Sequence, residues 1–362
     1  MEDSQRRRPW RPLVLPTSTG RFLGTLTSNL TLQDAAVLGL NGFLCWKAAF
    51  AISGPGAEDV REQLFVLFTL ALASVISMRG ELLEPGPLRA SFYRVGALGS
   101  MIGSYLTLRA LLPALHPELL DARLVAIDRA LFGQTPAVWL DQFANPHSVE
   151  WFAFFYYSYY FILGTYLIGT VLFDDGRRRY ELLLGAALVA AVGHAGYTFV
   201  PGVGPWAYAE LTFQHQLTGG PWWHRVLSAV TSAGAQMDIF PSLHTGFSLL
   251  CGLHALRWRR ERPFRYTWLL TWFAVVNIII ATVFLRWHYA IDLIAGALLA
   301  FTAHRTAITV WRWEGQRELE RGVQPVWEPI LPPGLAGSER LRGAGMLTIQ
   351  IVMMALFLTQ CF

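Results

Sequence analysis

Phe240-Pro241-Ser242-Leu243-His244 and Arg286-Trp287-His288-Tyr289-Ala290-Ile291-Asp292 each stand where a loop meets a long apolar run. A proline at the first helical position is preorganised for a helix start. Pro241 is therefore expected to open a helix, with His244 in its first turn. That places His244 beside free backbone N–H groups and the positive end of the helix dipole, a natural anion site. In the second stretch His288 and Asp292 are four residues apart. On a helix they share one face, and the carboxylate holds one imidazole nitrogen. The other nitrogen stays free to attack or to take a proton, the orienting logic of a catalytic triad.

The apolar runs around these stretches decide the fold class. The chain has 362 residues, 53% of them hydrophobic, and a mean hydropathy of +0.37. A soluble chain of this length would usually divide into two or three domains. Repeated runs of membrane-spanning length instead imply one bundle in a bilayer: an all-α integral membrane protein with about 8–9 transmembrane helices. The net charge of +4 is no nucleic-acid signature, because it comes from arginine clusters at loop positions. Cys45, Cys251 and Cys361 lie in or beside apolar runs without metal or disulfide spacing, and read as small buried hydrophobes. The polar, arginine-rich start is not expected to be a cleaved signal peptide, and Cys361 does not fit a prenylation box.

Taken in order, residues 1–30 read as an arginine-rich cytoplasmic tail. Spans are expected at 33–53, 63–78 and 95–113, the first two forming an N-terminal pair within 33–94. Residues 114–150 are too polar to span. Leu119, Leu120, Leu124, Ile127, Leu131 and Phe132 recur there at helical spacing, with Asp121, Arg123, Asp128 and Arg129 on the other side. This pattern predicts an amphipathic helix lying in the interface. Further spans are expected at 151–173, 181–200, 241–257, 267–285 and 289–310, with a long loop at 201–238. The tail 312–362 is polar until 346–362, which reads as a ninth span or an interfacial helix. The aromatic run Trp151 to Tyr160 reads either as a membrane belt or as a wall for a lipid tail.

With the N-terminus inside, 22 of the 29 Lys and Arg residues fall on the inner side, five fall outside, and Lys47 and Arg109 lie within spans. Such a bias sets topology strongly. The loop Pro201-Gly202-Val203-Gly204-Pro205-Trp206, His244 and His288 then converge on the extracytoplasmic face, which would be periplasmic in a bacterium.

Pro241-Ser242-Leu243-His244, followed by a distant His288-x3-Asp292, resembles the second and third signatures of the type-2 phosphatidic acid phosphatase superfamily. Leu243 and the Arg-Trp-His-Tyr-x-x-Asp-Leu form are most similar to its inositolphosphotransferase-like branch. The resemblance covers residues 95–311 and says little about either end. It implies a six-helix, phosphatase-type catalytic bundle there, extended by the N-terminal spans. A pattern Asp…Leu-Phe-Gly…Pro in 121–136 resembles an insertion of bacterial members, which implies a lid or collar over the membrane surface.

The resemblance implies that His288 attacks phosphorus, that Asp292 orients it, and that His244 protonates the leaving oxygen and then activates water or an acceptor hydroxyl. Backbone N–H groups near Pro241 and Ser242, together with Arg286, would stabilise the equatorial oxygens. The substrate implied is a membrane lipid: a phospholipid, lipid phosphate or pyrophosphate, with a lipid hydroxyl as candidate acceptor. No cofactor and no metal are implied, and His244, His288 and Asp292 lack a spaced pair of the kind that metal sites show.

The departures from the family pattern matter. Its first signature carries a Lys and an Arg-Pro, whereas the matching region here, Tyr197…Pro201…Pro205-Trp206, has no cation and the only lysine is Lys47. Where the third signature usually has Ser-Arg, this chain has Ala281-Thr282. Arg286, with Arg225 or Arg109, is expected to take over part of the clamp. The Tyr…Pro…Pro-Trp form resembles the inositolphosphotransferase-like branch. That favours a phosphodiester donor, whose lower charge needs fewer cations. His194 reads as an intrabundle hydrogen-bonding group or a functional one, His215 and His224 as solvated loop residues. A lipid transporter or flippase would show polar residues at mid-depth, and a catalytically dead scaffold would fail to phosphorylate His288.

Overall fold

A computed structural model describes residues 18–116, 118–174, 176–233, 235–321, 326–328 and 344–352. Every regular element among them is helical. In chain order the helices are α1 (Thr19–Asn29), α2 (Leu32–Ala51), α3 (Ala57–Arg79), α4 (Pro87–Leu115), α5 (Asp121–Phe132) and α6 (Pro136–Leu140). They continue with α7 (Pro146–Phe173), α8 (Gly176–Tyr197), α9 (Pro221–Ala233), α10 (Leu243–Arg257), α11 (Phe264–Phe284) and α12 (Ala290–Arg321). Residues 344–352 are also helical. The remainder of the last apolar run and residues 1–17 lie outside the described residues.

Local chemistry starts several of these helices. Thr31 and Asp34 form a reciprocal capping box on α2, and Asn145 with Ser148 does the same on α7, where Pro146 takes the first helical position. The expectation that Pro241 opens a helix is corrected. Ser242 is the N-cap of α10, its hydroxyl accepting from Thr245 N at 3.3 Å, so Pro241 precedes the cap. His244 still falls in the first turn. Two helices, α1 and α9, occupy stretches that the sequence pattern left as tail and loop.

Five helices, α3, α4, α8, α11 and α12, are long and apolar enough to cross a membrane, and the protein is integral to it. Phe65, Ile102, Leu269 and Leu298 on these helices point outward, as side chains facing lipid tails do. The other three expected spans fall short for separate reasons. Helix α10 has 15 residues, α2 carries Asp34, Asn41 and Lys47, and α7 is rich in tyrosine.

Consecutive long helices run in opposite directions, so the bundle has two chemically distinct ends. At one end Arg79 holds Asp34 at 2.7 Å, Tyr93 donates to the same carboxylate at 2.6 Å, and Arg257 pairs with Glu181 at 2.5 Å. Arg178 reaches Asp174 at 2.8 Å and Glu261 at 3.0 Å, while Tyr180 donates to Glu314 at 2.5 Å. The short segment 326–328 is drawn into this end: Arg89 pairs with the Glu328 carboxylate, and Arg94 donates to the Glu328 carbonyl at 2.7 Å. The opposite end carries His244 and His288.

Truncating one partner of a buried pair strands the other charge, at a cost of about 3–5 kcal/mol. Asp34 and Arg79 are both fully buried. Asp34→Ala is therefore expected to lower the Tm of the detergent-solubilised protein sharply. Asp34→Leu combined with Arg79→Met should recover part of the loss, and a thermal melt of both variants checks this.

Candidate active site

The third-signature stretch begins where α11 ends. Trp287 N and His288 N both donate to the Thr282 carbonyl, at 2.9 and 3.1 Å, which curls the chain into a tight corner. Arg286 sits in that corner with φ +67, a left-handed conformation, and its carbonyl accepts from Trp206 N at 2.7 Å. Asp292 lies in the first turn of α12 and is fully buried. Its Oδ2 faces His288 Nδ1 at 3.4 Å and accepts from Tyr289 N at 2.9 Å. With the proton on Nδ1, the lone pair of His288 lies on Nε2.

The second signature meets the third through the backbone. Ser242 N donates to the Asp292 carbonyl at 3.0 Å. The two helices approach so closely that a Cβ on Gly296 would collide with the Ser242 carbonyl oxygen. As a result the rings of His244 and His288 stand 5.9 Å apart, centroid to centroid. His244 stacks on Tyr156 at 4.5 Å, lies against Tyr159 at 4.4 Å, and meets the edge of Tyr160 at 6.4 Å. The aromatic run of α7 thus supplies a wall to this imidazole, while Trp151 and Tyr160 also reach the surface.

Several polar atoms here are buried without a hydrogen-bond partner: His244 Nε2, Asp292 Oδ1, Thr245 Oγ1, Trp287 Nε1, Arg286 Nε and Arg225 Nη1. Buried polar groups normally find partners. A concentration of unpaired donors around two imidazoles marks a place where a ligand with acceptor oxygens fits.

A collar of carboxylates holds this end together. Asp121 of α5 accepts from Val203 N at 3.0 Å, Gly204 N at 2.9 Å and the Tyr289 hydroxyl at 2.8 Å. Asp128, two turns later, accepts from Ala290 N at 3.1 Å and Ile291 N at 3.0 Å, capping the N-terminus of α12. Burial pushes the Asp128 carboxyl up from its ordinary value, while the two amides pull the other way. Asp141 accepts from Gln214 N at 2.7 Å and from Arg286 Nη2 at 2.6 Å. Glu150 of α7 accepts from Gly220 N and Trp222 N, at 2.7 and 2.8 Å, capping α9. Gly204, at φ +77, packs so tightly under Trp287 that a Cβ would strike its carbonyl oxygen.

The residues singled out in sequence fall in three groups. Ser242, His244, His288 and Asp292 are brought together directly, with Pro241 just before the cap. Tyr197 is buried at the end of α8, and Pro205 and Trp206 pack on the Arg286–Trp287 corner, Trp206 stacking on Trp287 at 5.3 Å. The cations are the third group. Arg286 spends Nη2 on Asp141 and the His215 carbonyl, and its guanidinium lies 3.8 Å from the Phe213 ring centroid. Burial lowers its pKa from the ordinary value, and Asp141 opposes that shift. Arg225 lies over Trp222 at 4.9 Å, and Arg109 donates to the Ser232 carbonyl. His194 contacts Ser104 at 3.3 Å, and His215 lies beside Asp141 at 3.4 Å.

Sequence reasoning expected a lid or collar in this region but missed the buried hydrogen bonds its acids make. Asp121 and Asp128 were placed on a polar face away from the apolar one, yet both are fully buried, and Ile127, Leu131 and Phe132 are exposed. The signal was present: acids seven residues apart share one face of a helix, and a helix lying on lipid turns its polar face toward the protein. Among the described residues no group of three or more His, Cys, Asp and Glu is arranged to hold a metal ion.

Comparison with known families gives one finding. A family model described as the PAP2 superfamily matches residues 122–306. No curated protein and no solved structure matches the chain.

Asp121→Ala would leave the amides of Val203 and Gly204 unpaired, at about 1–3 kcal/mol for each buried group. The expected outcome is a lower Tm and faster protease cleavage within 201–206. Tyr289→Phe, which removes a single donor, should show a smaller effect of about 1 kcal/mol.

Proposed function

This chain belongs to the PAP2 superfamily, and from that premise we propose that it is a membrane lipid phosphatase or phosphotransferase working through a phosphohistidine on His288. The observation that carries this reading is the half-buried His244, whose Nε2 has no hydrogen-bond partner among the described residues and whose ring centroid lies 5.9 Å from that of the Asp292-held His288. Superfamily membership makes the chain a phosphatase-type enzyme acting on membrane lipid phosphates. The nucleophile, the transfer step and the membrane side are the parts proposed here.

In the first step the Nε2 lone pair of His288 forms a bond to phosphorus. The bond from phosphorus to the leaving oxygen breaks, and His244, entering as the imidazolium, gives that oxygen its proton. Asp292 stabilises the imidazolium character that develops on His288. In the second step neutral His244 takes a proton from water or from a lipid hydroxyl. The freed oxygen attacks phosphorus, the N–P bond breaks, and His288 returns to the neutral form. Trp287 Nε1, Arg286 Nε and Arg225 Nη1 are the unshared donors for the phosphoryl oxygens, alongside the backbone at Pro241 and Ser242. Tyr197, Pro205 and Trp206 support the wall of the site.

The segregation of arginines supports a cytoplasmic N-terminus and an extracytoplasmic site. We further assign residues 33–94 to two N-terminal spans, 95–311 to the catalytic bundle, and 312–362 to a tail, giving eight or nine spans in all. Inositol-phosphate transfer is one form of the transferase reading.

The test uses purified protein in detergent with EDTA throughout. Phospholipids, lipid phosphates and isoprenyl pyrophosphates are offered with and without ceramide or diacylglycerol. Wild type should release phosphate or form a new head-group-bearing lipid, and His244→Ala should slow it by about 10²–10⁴-fold. His288→Ala should abolish turnover and the alkali-stable phosphorylated protein. Activity in His288→Ala equal to wild type, or no product from any lipid, would overturn the mechanism and turn attention to a transporter or scaffold.

A further inference from the structure

Asp238 lies six residues before His244, in the segment that leads into α10. Its side chain is half-buried. Among the described residues no Lys, Arg or His forms an ion pair with it. The Tyr105 hydroxyl donates to its Oδ2 at 2.8 Å. The Tyr105 ring lies against that of His194 at 5.5 Å, and His194 stacks on Tyr197 at 6.3 Å. His244 itself is in contact with the rings of Tyr156, Tyr159 and Tyr160, and Tyr159 meets Tyr160 edge-on at 5.3 Å. A half-buried carboxylate with no cation partner among the described residues thus sits on one tyrosine, six residues from an imidazole that three further tyrosines wall.

A partly buried carboxylate without a cation is costly, and tyrosine faces attract cations, quaternary ammonium groups above all. The remaining charges near the histidines sharpen the point. Asp292 is a second carboxylate, and the guanidinium of Arg286 is offset by Asp141. A dianionic phosphomonoester would be repelled by Asp238 and would find few free cations. A phosphodiester carrying an ammonium presents one negative charge to the histidines and one positive charge to Asp238. A polyol head group could hydrogen-bond to the same oxygens, but it would neither neutralise the carboxylate nor use the faces of the rings.

We propose that Asp238, with Tyr105, Tyr159 and Tyr160, forms a head-group subsite that selects zwitterionic, ammonium-bearing phosphodiester lipids. The subsite adjoins the histidine pair, so the proposal rests on the reading of that pair as the reaction centre.

The experiment compares phosphatidylcholine, phosphatidylethanolamine, phosphatidylinositol, phosphatidylglycerol and phosphatidic acid of identical acyl chains, using the full chain in detergent. One of the two ammonium lipids should exceed the other three in kcat/KM by tenfold or more. Asp238→Asn should raise KM for that lipid about tenfold, as loss of a desolvated cation site does, with kcat little changed. Tyr160→Leu, on a partly exposed ring, should shift KM in the same direction and serves if Asp238→Asn fails to fold. Preference for phosphatidylinositol, phosphatidylglycerol or phosphatidic acid would overturn the subsite while leaving the histidine mechanism standing. A second readout is independent of turnover: phosphocholine should raise the Tm of both wild type and His288→Ala, and not that of Asp238→Asn. No rise in wild type, or an equal rise in Asp238→Asn, would overturn the proposal even if no lipid is turned over.

Discussion

Asp292 joins the two histidines through two different atoms. Its side chain faces His288 and receives Tyr289 N, while its backbone carbonyl receives Ser242 N, the cap residue of the helix that carries His244. The distance between the imidazoles is therefore set by one residue and one tight crossing at Gly296. Neither histidine sits on a free loop. A reacting pair gains most when its geometry is fixed before substrate arrives, and here both members hang on a single buried turn.

That turn is in its own right dependent on the collar above it. The loops at the site end expose backbone N–H groups that have no helical partner, and at a membrane boundary water is an unreliable one. Asp121, Asp128, Asp141 and Glu150 take that role, each accepting from two or more donors on a different segment. Asp128 caps α12 at the residues immediately before Asp292. Helix α5 is thereby part of the site's framework and more than a cover over it. Ile127, Leu131 and Phe132 face outward while Asp121 and Asp128 face the protein beside Leu124 and Val125.

Ser242, His244, His288 and Asp292 could be singled out in the sequence because they belong to two short signature-like stretches, although His288 lies in the turn before α12 and does not share a helical face with Asp292. The long apolar runs gave most helix positions, since a span needs only length and apolarity. What stayed hidden depends on contacts across the chain. The burial of Asp121 and Asp128, the pairing of Arg286 with Asp141 and the position of Asp238 join segments from about eighty to well over a hundred residues apart, and no periodicity encodes them. Helix α9 was missed because Pro221-Trp222-Trp223 sits in a stretch read as loop, and its start is fixed by the distant Glu150. The helix start at Pro241 was misplaced by two residues because Ser242 is the better cap, which makes Leu243 the first helical residue.

The pairing of Arg286 with Asp141 bears on how charge is managed in the site. A guanidinium bound to a carboxylate keeps its geometry but lends little net field to a third group, since the opposite charges nearly cancel at a distance. Arg286 therefore works chiefly as a strut: one arm on Asp141, its carbonyl on Trp206, its backbone bent into a left-handed turn. The Lys and Arg-Pro of the first signature are absent, and on the proposed reading stabilisation of a phosphoryl group falls to donors such as Trp287 Nε1 and Arg286 Nε, which have no partner among the described residues. Neutral donors stabilise one developing charge well and two poorly, because their dipoles fall off faster with distance than a full charge. On the reading proposed above, donors of this kind suit phosphorus bearing a single negative charge.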